Sequence, residues 1–94
     1  AQYETDMYSG AIKTYQYLLK TLVASPYYDP AGEVECRYDL AQACYSNRDF
    51  QNSSAQIDTI LTFKKYSDKD KSIKDFIHQA GDLKKKIKKG SKGG

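Results

Sequence analysis

Apolar residues return every three or four positions along four stretches of this chain, and nowhere do they alternate at every second position. That spacing confines the chain to amphipathic α-helices, because a half-buried strand needs a period of two. The first stretch, about Tyr3 to Ala24, carries Tyr8, Ala11/Ile12, Tyr15, Leu18/Leu19 and Leu22, and it stops at Ser25-Pro26, where proline prevents continuation. Asp29-Pro30 then reads as an N-cap followed by proline at the first helical position. The second helix, about Pro30 to Ser46, aligns Val34, Tyr38, Ala41 and Tyr45, with Leu40 and Cys44 broadening the face. After a break at Asn47-Arg48-Asp49, with Asp49 as cap, the third runs from about Phe50 to Tyr66 and turns Phe50, Ser53/Ser54, Ile57 and Ile60/Leu61 inward. The small residues at 53–55 predict a close approach to a neighbouring helix. Ser67-x-x-Asp70 reads as a capping box, and the fourth helix, about Asp68 to Lys89, shows Ile73, Phe76/Ile77, Ala80, Leu83 and Ile87.

Short loops make consecutive helices antiparallel, and four helices of this length can close on one another. The expected fold is therefore all-α, an up-down-up-down four-helix bundle over residues 1–89, with Gly90 to Gly94 as a flexible tail. Ninety-four residues bury only about 60–65% of the unfolded surface, so the core must be small. No apolar run approaches the about 20 residues of a membrane span. The chain begins Ala1-Gln2, a processed mature terminus or a trimmed one, with no apolar leader in view.

Little in the sequence supports chemistry. His78 is the only histidine, Gly10, Gly32 and Gly81 are isolated, and Cys36 and Cys44 stand eight apart without a C-x-x-C. On one helix eight residues span about 12 Å, too far for a disulfide, so both read as small apolar side chains facing a core. No catalytic residue, metal ligand or cofactor is expected. Asn52-Ser53-Ser54 is a formal glycosylation sequon on a packed helix, where it is not expected to serve.

Charge is more informative. The net charge is +3, yet residues 84–94 hold six lysines and no acid, which leaves residues 1–83 at −3. Lys84, Lys85, Lys86, Lys88 and Lys89 surround Ile87, and such a face reads as a solvated helix end, as a dock for an acidic protein surface, or as a site for nucleic acid or anionic lipid. Scarce arginine and an acidic body argue against nucleic acid. Nine tyrosines without a tryptophan add amphipathic rings, and Tyr3, Tyr17, Tyr27 and Tyr28 fall off the core lines, where Tyr27 and Tyr28 are candidates for partner contact.

Two resemblances give the docking reading a more concrete form. Tyr38-x-Leu40-Ala41-x-Ala43-x-Tyr45, continuing to Asp49-Phe50-x-x-Ser53, resembles a tetratricopeptide helix pair, and Tyr8 to Leu19 resembles the second helix of a preceding unit. This implies helical hairpins and an adaptor that binds a peptide or protein partner. Ser53 and Ile60 stand where that family has Ala, no proline closes the unit, and the internal spacing is 42 residues. A solenoid also needs about three repeats to bury a continuous core, against at most one and a half here.

Arg37-Tyr38-Asp39-Leu40 on the second of four helices, with Ile57-Asp58-Thr59-Ile60 on the third, resembles PsbQ-like extrinsic subunits of photosystem II. That resemblance implies a four-helix bundle without a cofactor, peripheral to a membrane complex in the thylakoid lumen. Its role there would be to stabilise the oxygen-evolving machinery. The expectation is thus a non-catalytic docking subunit of a larger complex.

Overall fold

Three aspartates start three of the four helices. In the computed structural model, which describes the backbone of residues 2–93 and the side chains of residues 8–89, the helices are α1 (Gln2–Ala24), α2 (Pro30–Ser46), α3 (Phe50–Leu61) and α4 (Lys71–Gly93). Asp29 accepts from the Ala31 amide at 3.2 Å, and Asp49 accepts from the Asn52 amide at 3.3 Å. Asp70 accepts from the amides of Ser72 and Ile73 at 2.9 and 3.3 Å. Each carboxylate satisfies donors that the first helical turn leaves unpaired and complements the positive end of the helix dipole.

The start of α4 differs from the expected capping box. Ser67 does not cap it; its hydroxyl donates backward to the Lys64 carbonyl at 2.7 Å and closes the preceding 3-10 turn. That turn, Thr62–Tyr66, tightens the end of the expected third helix, so the α-helical part stops at Leu61. Asp70 caps alone because no acid follows three residues later; position 73 is isoleucine. The backbone of α4 continues through Gly93, over positions expected as a tail after Lys89; the side chains of residues 90–94 and of Tyr3 lie outside the described ones.

The chain is an all-α four-helix bundle, with no strand among the described residues. Its helices do not share the core equally. Val34 and Ala41 of α2, Ile57 and Ile60 of α3, and Ile73, Ala80, Leu83 and Ile87 of α4 form the main buried cluster. Phe50, Phe63, Phe76, Tyr38 and Tyr45 pack around it, with ring pairs Tyr38–Phe76 and Tyr45–Phe50 at 5.8 and 5.7 Å. Burying each large aliphatic side chain of this kind contributes about 1.5–3 kcal/mol.

Among the described residues none of this cluster comes from α1, which lies along α2 with Tyr8, Ile12, Tyr15, Leu19 and Leu22 only half-buried. The molecule measures 41 × 26 × 16 Å, wider than it is thick, as expected when α1 is laid beside a three-helix core.

Helix α2 sits in the middle. Val34 and Ala43 are nine residues apart, about 180° around a helix, and both are buried. One side of α2 therefore meets α3 and α4 while the other meets α1. Small residues make both contacts close. Ser53 of α3 is fully buried and donates its hydroxyl to the Ala41 carbonyl at 2.8 Å, the close approach predicted from the small residues at 53–55. On the other side, a Leu22 methyl lies 3.4 Å from where a Cβ on Gly32 would stand, and the Cys36 thiol reaches the Tyr15 carbonyl at 3.5 Å.

The α2–α3 turn is a complete Schellman motif. The Arg48 amide donates to the Tyr45 carbonyl at 3.0 Å and the Asp49 amide to the Cys44 carbonyl at 2.8 Å. Arg48 itself takes φ 62°, the left-handed conformation that glycine usually fills.

Candidate functional site

The lysine cluster lies on the second half of α4. Leu83 and Ile87 point into the core, which turns Lys85, Lys86, Lys88 and Lys89 outward, and all four are exposed. Lys84 behaves differently. It is half-buried, and its ammonium pairs with Asp58 of α3 at 3.2 Å. The sequence grouped five lysines as one face; the fold separates Lys84, a clasp between α3 and α4, from the other four. Among the described residues, none of those four makes an ion pair.

The tyrosine candidates lie at the other end of the bundle. Tyr27 is 89% exposed at the α1–α2 turn, the most open of the large hydrophobic side chains described. Tyr28 beside it is less free: its hydroxyl donates to Glu33 Oε1. Glu33 is buried, and its second oxygen accepts from Arg37 Nε at 2.7 Å, while Arg37 reaches Gln56 of α3 at 2.8 Å. This chain of four side chains ties the α1–α2 turn to α3. It lets a carboxylate sit inside at low cost because both oxygens are paired. Burial first, then the hydrogen bond to Glu33 and its charge, push the Tyr28 phenol up to about 12.

Sequence reasoning did not anticipate what surrounds Tyr28. A depression of about 180 Å³ is lined by Tyr28, Thr62, Phe63, Lys65 and Tyr66. Lys65 places its ammonium 5.2 Å from the Tyr66 ring centre, and the Phe63 and Tyr66 rings pair at 5.9 Å. Tyr66 has no apolar-stripe neighbour in sequence that would have flagged it; the 3-10 turn brings it there. Tyr17 of α1 is 70% exposed and stands apart from this corner.

The remaining reactive groups are quiet. Burial pushes the Cys36 and Cys44 thiols above their ordinary value, with Asp39 adding to the first and Asp49 to the second, so both persist as thiols at neutral pH. Both cysteines are free. His78 is exposed and 3.8 Å from Asp82. Among the described residues no group of three His, Cys, Asp or Glu side chains could hold a metal ion, and no helix is long and apolar enough to cross a membrane. The side-chain Nδ2 of Asn52 in the sequon donates to Asp49 Oδ2 at 2.6 Å in the first turn of α3.

No protein-family model, curated protein or solved structure matches the chain. Most residues behind the two resemblances on α2 and the start of α3 have internal tasks. Arg37 holds Glu33, Tyr38 packs on Phe76, and Leu40 is buried. Ala41, Tyr45, Phe50 and Ser53 build the α2–α3 contact.

Proposed function

We propose that the chain is a non-catalytic helical docking subunit that joins a larger assembly through electrostatic contact. The observation that carries this reading is the exposed lysine face of α4, Lys85, Lys86, Lys88 and Lys89, held outward by buried Leu83 and Ile87. Four exposed ammonium groups within two helical turns raise the local potential and favour encounter with an acidic protein surface. Tyr27 offers an exposed ring at the opposite end, and Tyr28 presents ring area while its hydroxyl is engaged.

In its most concrete form the partner is photosystem II, with the chain as an extrinsic lumenal subunit. The support is the Arg37–Leu40 stretch and the order of helices. The alternative, a tetratricopeptide-type adaptor, draws support from the close Ser53–Ala41 contact between α2 and α3.

Binding to membranes enriched in photosystem II, measured by co-sedimentation, tests the proposal. Retention at low salt is expected, with release as salt nears about 1 M, where screening acts within about 3 Å. Lys85→Glu with Lys88→Glu should abolish retention without touching the Lys84–Asp58 pair. Binding that survives molar salt rejects electrostatic docking. Salt-sensitive binding to a soluble acidic protein, with none to the membranes, keeps the docking role and rejects the photosystem.

A further inference from the structure

A second surface carries the opposite charge. Between α1 and α2 lies a cleft of about 280 Å³ whose apolar wall is Tyr15, Leu18 and Leu22, with Gly32 and Cys36 beneath and Glu35 and Asp39 along one edge. Leu18 is 49% exposed although it belongs to the apolar stripe of α1.

Glu35 and Asp39 are four residues apart on α2, a spacing at which like charges repel. Among the described residues neither forms an ion pair. Partial burial and the charge of Glu35 push the Asp39 carboxyl up, so the edge is short of a cation.

The same molecule shows how such a cleft is filled. The groove on the far side of α2, between α2 and α3, is covered by α4, an amphipathic helix rich in lysine. Its apolar residues Ile73, Ala80, Leu83 and Ile87 enter the core, and Lys84 pairs with Asp58 on the groove's edge. The α1–α2 cleft has the same parts, an apolar floor with small residues and carboxylates on the rim, but no helix of the described chain lies in it.

We propose that the α1–α2 cleft docks a lysine- or arginine-bearing amphipathic helix of a partner protein, Tyr15, Leu18 and Leu22 taking its apolar side and Glu35 and Asp39 its cations. This goes beyond docking through the lysine face, because it requires a partner segment of the opposite charge. The chain then bridges two partners, an acidic surface at α4 and a basic helix at α1–α2.

The probe is a synthetic amphipathic helix of leucine and lysine, with a leucine/glutamate helix of the same pattern as its counterpart. Each is titrated into the full chain and followed by amide chemical shifts and fluorescence anisotropy. The leucine/lysine helix is expected to shift residues 15, 18, 22, 35, 36 and 39 and, by those shifts, to bind the cleft about tenfold more tightly than its counterpart, a difference of about 1.4 kcal/mol; contacts of the counterpart with the α4 lysines shift other residues.

Glu35→Lys with Asp39→Lys should reverse the preference, so that the glutamate helix now binds better. That rescue separates a lost site from a misfolded chain. Shifts of the leucine/lysine helix confined to another face, equal binding of both helices at the cleft residues, or an unreversed preference there overturn the proposal. So does the appearance of the same shifts on raising protein concentration alone, which assigns the cleft to a second copy of this chain.

Discussion

Helix α1 and the α2–α4 unit have similar sequence patterns and different fates. Both show a stripe of large apolar residues at helical spacing, and both use tyrosine within it. In α2–α4 the stripes meet from three directions, and Val34, Ile57, Ile60 and Ala80 reach zero exposure. On α1 the stripe has one neighbour, and no residue from Tyr8 to Ala24 is buried. An apolar stripe states what a helix can bury; the number of neighbours decides how much it does. α1 is therefore held by one interface, that with α2, which includes the Leu22–Gly32 and Tyr15–Cys36 approaches, together with the Tyr28–Glu33–Arg37 clasp at its turn.

The sharpest test sets one substitution in each region side by side. Ile57→Ala, at a fully buried site, should cost about 2–5 kcal/mol by urea denaturation, and Leu19→Ala, half-buried on α1, about 1 kcal/mol. Equal losses would show that α1 belongs to the same cooperative core. Hydrogen exchange carries the contrast further. Amides of α1 should open at a lower free energy than those around Ile57 and Ala80, which should exchange only by global unfolding.

A smaller effect distinguishes the two turns. Arg48→Gly relieves a left-handed residue in the α2–α3 turn and should stabilise the core by about 1 kcal/mol. No residue of the α1–α2 turn takes positive φ, so glycine there should give no gain. Glycines within helices give a further pair. A Cβ at Gly10 or Gly81 would meet nothing within 4 Å, so alanine should add about 0.5–1 kcal/mol of helix stability at each. Gly81→Ala should raise the global urea midpoint, whereas Gly10→Ala should raise protection in α1 alone.

The mildest probe is pH. Tyr28 titrates near 12 in the folded chain and near 10 when unfolded, so the folded state favours the neutral phenol. Its stabilisation is complete below pH 10 and is lost as pH rises towards 12. Ring-carbon NMR shifts of Tyr28 should show this late titration, moved to lower pH by Glu33→Gln. A titration left unmoved in that variant would remove the clasp from the account of α1.

The all-α class, the helix starts at Pro30 and Phe50, and the close approach at Ser53 were legible because periodicity, proline and aspartate act locally. The division of labour among helices was not, since α1 and α3 look alike until their neighbours are known. Lysines 85–89 could be read as a face, but pairing of Lys84 with Asp58 depends on a contact between residues 26 positions apart. The Glu35–Asp39 repulsion was visible in spacing, yet only the cleft beside it makes it informative. Tyr66 joined Tyr28 through a 3-10 turn that no stripe announces.

The one-neighbour placement of α1 also has a consequence for synthesis. Within this chain α1 leaves the ribosome before α2, and an isolated helix is marginal in water. Until the residues through Ser46 have emerged, Tyr15, Leu19 and Leu22 have no surface to rest on, and even then α2 lacks its second support. The nascent α1 segment waits exposed for the part of this chain that will hold it, which makes it the segment here most open to chaperone capture or premature association.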